Sequence, residues 1–134
     1  MFEVLDIGAS GLLAQRTRMD VIAENIANAN TTHNAQGEPV PYRRRFAVVV
    51  PGRSGDLSKP GVHVREVRQD MSPFSRKLDW GNPDHGPDGY VSLPNVNPIT
   101  EWVNAIEASR AYEANVSMME VSKAMINASL RLIA

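Results

Sequence analysis

The residues best suited to catalysis or metal binding are three histidines and the carboxylates beside one of them. The histidines are His33, His63 and His85, and the chain contains no cysteine. No second histidine or cysteine stands at ligand spacing from any of them, so the sequence predicts no zinc site. Asp84, His85 and Asp88 come closest to a carboxylate–histidine cluster, in a stretch rich in Pro and Gly. They match no common catalytic motif, so a solvated loop is the favoured interpretation and an enzyme using this loop is a rival.

Ser10 is the other candidate nucleophile, because it lies between small residues. It lacks both the G-x-S-x-G spacing and the preceding strand of a nucleophile elbow. The chain also has neither a G-x-G-x-x-G segment nor a phosphate-binding P-loop. We therefore expect no enzyme activity, no cofactor and no bound metal.

One basic cluster has aromatic neighbours: Arg43, Arg44 and Arg45 stand between Tyr42 and Phe46. The cluster is short and the formal net charge of the chain is -1, so nucleic acid is not the expected partner. Arginine is favoured for paired contacts at protein interfaces. We predict that these arginines face carboxylates, and they are candidates for ionic contacts between subunits.

Apolar rows along residues 98–134 are the strongest pattern in the chain. The first row has steps of three and four residues: Ala111, Ala114, Met118, Val121, Met125, Ala128, Leu132. A second row runs beside it at seven-residue steps: Ala105, Tyr112, Met119, Ile126, Ile133. These rows predict a helix over 98–133 with a heptad seam, capped by Asn97 with Pro98 at its first position. Two rows are more than one partner helix can cover.

Residues 3–29 repeat the heptad theme, most securely from Ser10 onward because Gly8 and Gly11 weaken the first turns. The apolar positions are Leu5, Leu12, Met19 and Ile26, with Ile22 between them. We predict that this helix pairs with the first row of the C-terminal helix. The second row would then stay exposed and mediate self-association, and a head-to-tail contact would build a ring or an open filament.

The middle of the chain changes to strand-like patterns. Residues 46–50 and 62–67 are predicted strands, the second with a bulge or an end between 64 and 67; residues 69–87 are predicted loop, and 90–93 a short third strand. The predicted fold is mainly α with a small β insertion. An antiparallel, coiled-coil-like hairpin of N- and C-terminal helices (1–31 and 95–134) would hold a short β-rich module (32–94) between them.

Two targeting signals are not found in the sequence. The first residues lack the basic region followed by an apolar run of a cleavable signal peptide. No stretch approaches the roughly 18 apolar residues of a membrane span. We therefore expect no membrane insertion.

Five segments resemble the flagellar axial protein family, whose members are rod, hook and filament-junction subunits. They are ENIANANT (24–31), PYRR (41–44), GVHV (61–64), DGYV (88–91) and EASRAYEAN (107–115). The first alone is typical of any axial protein, whereas 88–115 is similar to the small rod subunits of the basal body. A sibling rod subunit is the closest rival.

The resemblance implies a structural subunit of the proximal rod, the tubular shaft that transmits torque from motor to hook. It implies export through the flagellar type III apparatus without a cleaved signal, and assembly in the periplasm. The implied partners are copies of the chain itself, other rod subunits, the hook–basal-body adaptor protein and the export apparatus. The predicted assembly residues are Leu5, Leu12, Met19, Ile22, Asn25, Ile26, Asn28, Asn30, Ala111, Tyr112, Ala114, Met118, Met119, Val121, Met125, Ile126 and Leu132.

The terminal helices of the free subunit should be largely frayed, because one short hairpin buries too little surface to offset chain entropy. The alternative to a rod subunit is a coiled-coil adaptor or an export-chaperone-like binding module. Such a module would form a small oligomer of defined size.

Overall fold

The computed structural model describes residues 2–134, so Met1 of the predicted helical unit lies outside the described residues. Two long helices enclose four strands in the order α1 (Phe2–Ala27), β1 (Arg45–Pro51), β2 (Val62–Gln69), β3 (Ser75–Leu78), β4 (Tyr90–Leu93) and α2 (Pro98–Ile133). This order confirms the coarse prediction of a helical pair with a β insertion.

The two helices lie antiparallel. Near the start of α1, Gly8 faces Met119, whereas near its end Arg18 forms an ion pair of 3.5 Å with Glu107. The start of α2 is as predicted: the Asn97 side chain accepts a hydrogen bond of 3.1 Å from the backbone N–H of Ile99. This cap satisfies a helix N–H that has no partner within the helix.

α1 begins at Phe2, although Gly8 and Gly11 made its first turns the less secure part of the predicted helix. The structure shows what these glycines do. A Cβ on Gly8 would lie 2.6 Å from the Cγ of Met119, and one on Gly11 would lie 2.9 Å from the Nδ2 of Asn115. Glycine therefore allows α2 to approach closely, and this packing outweighs its low helix propensity.

The pairing of α2 with α1 is the reverse of the prediction. The second row faces α1: Tyr112, Met119 and Ile126 are half-buried, and Ala108 beside them is fully buried. Most members of the first row are exposed instead, Leu132 by 88%, although the Cε of Met118 lies 3.2 Å from where a Cβ on Gly8 would stand. The reason is the burial of Glu101 near the start of α2, because positions four and seven residues further along a helix share its face.

β1 and β2 form an antiparallel ribbon that lies against α1. The register shifts so that Val48 pairs with Glu66 and Val49 with Val64, which leaves Arg65 unpaired. This is the predicted bulge between 64 and 67. The backbone N–H of Val62 donates a hydrogen bond of 3.1 Å to the Oγ of Ser10, so this ribbon is attached to the helix.

β3 and β4 form a separate antiparallel ribbon. β4 was predicted as a strand, but the prediction that all of 69–87 is loop is wrong, because Ser75–Leu78 pairs with Tyr90–Leu93. The sequence does not predict β3, because its residues are Ser, Arg, Lys and Leu and all four are exposed. Its pairing with β4 stabilises it, rather than its own strand propensity.

Neither α1 nor α2 has a stretch long and apolar enough to cross a membrane, and no other helix occurs in residues 2–134.

Candidate functional site

An exposed apolar row runs along α2 beside its contact with α1, where Met125 and Val4 line one groove. Met118 is 40% exposed, Val121 60%, Met125 65% and Leu132 88%. Ala114 and Ala128, which belong to the same predicted row, are exposed as well. We call Met118, Val121, Met125 and Leu132 the C-terminal patch. Four large exposed apolar side chains in one row are typical of a surface that another protein covers.

A second exposed apolar cluster lies in the first turns of α2, and the sequence analysis missed it. Ile99 is 75% exposed, Trp102 59%, Val103 59% and Ile106 54%. We call these four residues the N-terminal patch. Their spacing of three, one and three residues is that of one helix face, and this signal would have revealed the cluster.

Other predicted assembly residues hold the hairpin together instead. Leu5, Leu12, Met19 and Ile26 are half-buried on the side of α1 that faces α2, and Ile22 is 6% exposed. These side chains already make contacts within the subunit. They support the exposed patches by fixing the helix pair.

Asn25, another predicted assembly residue, is fully buried within the subunit, and a role in assembly stays a prediction. Its Nδ2 donates to the backbone carbonyl of Arg45 at 2.7 Å, and its Oδ1 accepts from the backbone N–H of Arg45 at 2.9 Å. The hydroxyl of Tyr42 donates to the same Oδ1 at 2.9 Å. Burial, together with the nearby negative charge of Glu24, raises the pKa of Tyr42 above its usual value. Asn25 thus forms with the backbone of Arg45 the pair of hydrogen bonds that a neighbouring strand would form. These bonds attach the start of β1 to α1.

Glu101 joins this buried junction from α2. Its carboxylate accepts hydrogen bonds from the Nε of Arg44 at 2.5 Å and from the Nδ2 of Asn25 at 3.3 Å. A second nitrogen of Arg44 reaches the Oδ2 of Asp70 at 3.2 Å. Burial alone would lower the pKa of Arg44, but the hydrogen bonds and charges of Glu101 and Asp70 outweigh it and raise that pKa. The junction therefore connects both helices with the β insertion.

The other two arginines also have partners within the chain. Arg43 donates to the backbone carbonyl of Asp70 at 2.9 Å, and its guanidinium lies 4.2 Å from the ring centre of Phe74. Arg45 forms an ion pair of 3.4 Å with Glu24. The expected carboxylate partners are thus internal ones for Arg44 and Arg45. A role of this cluster between subunits stays a prediction, and it would compete with these contacts.

The remaining predicted asparagines lie at the end of α1. The Nδ2 of Asn28 donates to the backbone carbonyl of Glu24 at 2.9 Å, and its Oδ1 accepts from the hydroxyl of Thr31 at 3.1 Å. Asn28 therefore helps to terminate the helix. Asn30 is exposed. Its predicted role in assembly stays a prediction.

The loop with the carboxylate–histidine cluster is not arranged for catalysis. Asp84 pairs with His33 at 2.8 Å, Asp88 pairs with Arg76 at 2.5 Å, and the Nδ1 of His85 bonds to the backbone carbonyl of Gly86 at 2.8 Å. These side chains thus have three separate partners. Within residues 2–134, no three His, Asp or Glu side chains lie close enough to hold a metal ion.

Two family models of known proteins match this chain. The family described as "Flagella basal body rod protein" matches residues 5–36, and "Flagellar basal body rod FlgEFG protein C-terminal" matches residues 88–132. These two matches cover most of α1 and α2. The helix that carries both exposed patches is therefore among the parts that the family models describe.

Full-length relatives have the same name in several bacteria. "Flagellar basal-body rod protein FlgC" of Bacillus subtilis is 38% identical over 146 residues, covering 98% of this chain and 97% of the relative. The FlgC protein of Borreliella burgdorferi is 37% identical over 150 residues (99% and 97%), and that of Escherichia coli is 35% identical over 132 residues (98% and 97%). With such identity along nearly the whole of both chains, this chain belongs to the FlgC family of flagellar basal-body rod proteins, and it is a structural subunit of the rod rather than an enzyme.

Proposed function

We propose that the chain joins the rod through the outer face of α2, with the C-terminal patch as its main contact. The observation that carries this proposal is the exposure of Met118, Val121 and Met125 in one row on a helix whose other side already packs against α1. Burying such a row stabilises an assembly by about 25 cal/mol per Å² of apolar surface. Repetition of this contact along the rod would make the shaft stiff without any single strong interaction.

The two helices and the β insertion would have different roles in that assembly. Residues 2–31 and 95–134 would form the helical assembly domain, and residues 32–94 a small β-rich module held beside it. Small residues along the contact, such as Gly8 and Ala108, favour a close, coiled-coil-like pairing of α1 and α2. The buried junction around Asn25 and Glu101 would keep the module at a constant angle to the helices.

The location of the chain within the flagellum, its export and its partners follow from the family resemblance. We infer a place in the proximal rod, in the periplasm, after export through the flagellar type III apparatus without a cleaved signal peptide. The partners would be copies of this chain, other rod subunits and the hook–basal-body adaptor protein. In this setting the rod transmits torque from the motor to the hook.

The decisive experiment replaces single residues of the patch in a motile bacterium whose own copy has been deleted. Met125→Glu places a charge into the proposed contact, so we expect loss of swimming and of intact basal bodies. Met118→Glu should act in the same way. Met125→Leu keeps the apolar volume and should preserve swimming.

Asn127→Glu is the matched control. It adds the same charge at nearly the same height on α2, at an exposed position on the other side of the helix. We expect it to swim. Normal swimming with Met125→Glu would refute the proposed contact. An adaptor or chaperone-like module would instead sediment as a small oligomer and be missing from purified basal bodies.

A further inference from the structure

Three arginines line one small cavity at the place where α1, α2 and β1 meet. The cavity has a volume of about 270 Å³, and Arg18, Arg44 and Arg45 lie in its wall. Asn104 of α2 lines it as well, and its amide can donate a further hydrogen bond. Among residues 2–134, no Asp or Glu belongs to this wall. The wall therefore combines three positive charges with N–H donors.

Arg44 supplies no spare charge to this cavity. The buried carboxylate of Glu101 and that of Asp70 both pair with its guanidinium, at 2.5 Å and 3.2 Å. These contacts belong to the junction that connects the helices with the β insertion. The positive charge available to a ligand must therefore come from Arg18 and Arg45.

Arg18 and Arg45 are held only loosely by their own partners. A nitrogen of Arg18 lies 3.5 Å from a carboxylate oxygen of Glu107, and a nitrogen of Arg45 lies 3.4 Å from one of Glu24. Both distances exceed the roughly 3.2 Å of a good N–H···O hydrogen bond. Glu24 and Glu107 are exposed, so each ion pair contributes little and another anion can replace it at small cost. Each guanidinium has five N–H groups, of which most stay available.

Apolar side chains form the rest of the wall. Val21 and Ile22 are buried, and Phe46 and Ala47 are half-buried. They keep water away from one side of the cavity, which lowers the local dielectric constant and strengthens the attraction between opposite charges. Guanidinium groups in such surroundings are suited to phosphate and carboxylate groups, which they bind through two parallel N–H···O bonds.

We propose that this cavity binds an oxyanion, a phosphate ion or a carboxylate group, between the guanidinium groups of Arg18 and Arg45. The bound group would connect α1, β1 and, through Asn104, α2. Because a ligand that binds only the folded chain stabilises it, the subunit should become more stable as the anion is added. The cavity is separate from the C-terminal patch, so this inference does not depend on the proposed assembly contact.

The test measures thermal unfolding of the purified full-length chain at increasing concentrations of sodium phosphate, with sodium chloride added to keep the ionic strength constant. We expect a saturable rise in Tm, of about 5 °C at ten times the dissociation constant. Arg18→Gln with Arg45→Gln should abolish this rise. Arg16→Gln removes an exposed charge of α1 that does not line the cavity, so it should preserve the rise. An equal rise in all three proteins would show a general salt effect and overturn the proposal.

Replacing the competing carboxylates separates ligand binding from a purely structural role of the arginines. Glu24→Gln and Glu107→Gln each free one guanidinium, so we expect severalfold tighter phosphate binding in isothermal titration calorimetry. Glu113→Gln is the matched control, because Glu113 is exposed further along α2 and does not line the cavity. Unchanged affinity in both Glu24→Gln and Glu107→Gln would overturn the proposal. These variants also decide the question if the double arginine variant does not fold.

Sodium acetate distinguishes the two sources of the oxyanion. Stabilisation by phosphate that equals or exceeds that by acetate would assign the cavity to a free phosphate ion. Stabilisation by acetate alone would assign it to a carboxylate, such as a side chain of a neighbouring subunit. If neither anion raises the Tm of the natural chain in a saturable way, the cavity is no anion site.

Discussion

Glu101 accepts a hydrogen bond of 2.5 Å from the Nε of Arg44 although the Glu101 side chain is only 1% exposed. This pair connects the first turn of α2 with the residue that precedes β1. A buried carboxylate is tolerated when a cation and further hydrogen bonds compensate its lost hydration, and Asn25 supplies one of these bonds. The pair therefore links the position of the β insertion to that of the helices.

Removing one member of this pair should destabilise the chain strongly. Glu101→Leu leaves the guanidinium of Arg44 without its buried acceptor, so we expect a loss of about 3 kcal/mol in the free energy of unfolding. The double variant Glu101→Leu with Arg44→Met should lose less than the sum of the two single variants, because neither member of the buried pair is then left without the other. Urea unfolding followed by circular dichroism measures all three. Additive losses would contradict the proposed coupling.

Gly89 should tolerate alanine far less well than Gly37. Both have a positive φ, 81° and 79°, so alanine meets similar backbone strain at either position. A Cβ on Gly89 would lie 2.3 Å from the Trp80 ring, whereas a Cβ on Gly37 would meet no atom within 4 Å. We expect Gly37→Ala to lower the unfolding free energy by about 1 kcal/mol and Gly89→Ala by about 3 kcal/mol. Equal losses would mean that the Trp80 contact is unimportant.

The stability of the chain should fall in acid partly because of Asp70. Hydrogen bonds from the side chain and backbone of Ser72, followed by those from Arg44, lower the pKa of Asp70. The unfolded chain therefore binds a proton at Asp70 more readily than the folded chain does. The stabilisation is complete above a pH of about 4 and is lost as the pH falls through the lowered pKa of Asp70 in the folded chain.

Asp70→Asn should flatten the dependence of stability on pH below about 4. Asp20→Asn is the control, because Asp20 is exposed and forms none of the ion pairs found within residues 2–134. Thermal unfolding at a series of pH values measures the effect. An unchanged acid slope in Asp70→Asn would contradict it.

In the free subunit, protection from hydrogen exchange should decrease along α2. Ala108 is fully buried near the junction, whereas beyond residue 115 the outer side of α2 is exposed and Ile133 is 81% exposed. A helix end with one partner opens more easily than a segment packed on several elements. Mass spectrometry of exchanged peptides should show this gradient, and helicity should rise upon assembly. Uniform protection to the end of α2 would refute the expected fraying.

Local chemistry explains what could be predicted. The start of α2 at Pro98 depends on the Asn97 cap, and the bulge near Arg65 follows from the slip of the apolar pattern in one strand. The heptad rows identified a helix with excess apolar surface because a 3.6-residue period is visible without any partner. The resemblance to axial proteins was likewise carried by short continuous segments.

Contacts between distant parts of the chain decided the rest. The rotation of α2 fits the burial of Glu101, which bonds to Asn25 across 76 residues, so the second row packs inward and most of the first row stays exposed. β3 exists because it pairs with β4, and its own residues favour no strand. The sequence by itself thus determined the elements other than β3, the excess of apolar helix surface and the family. Only the tertiary structure decided which face is left for a neighbour, because burying Glu101 is costly unless α2 is rotated so that Arg44 and Asn25 can pair with it.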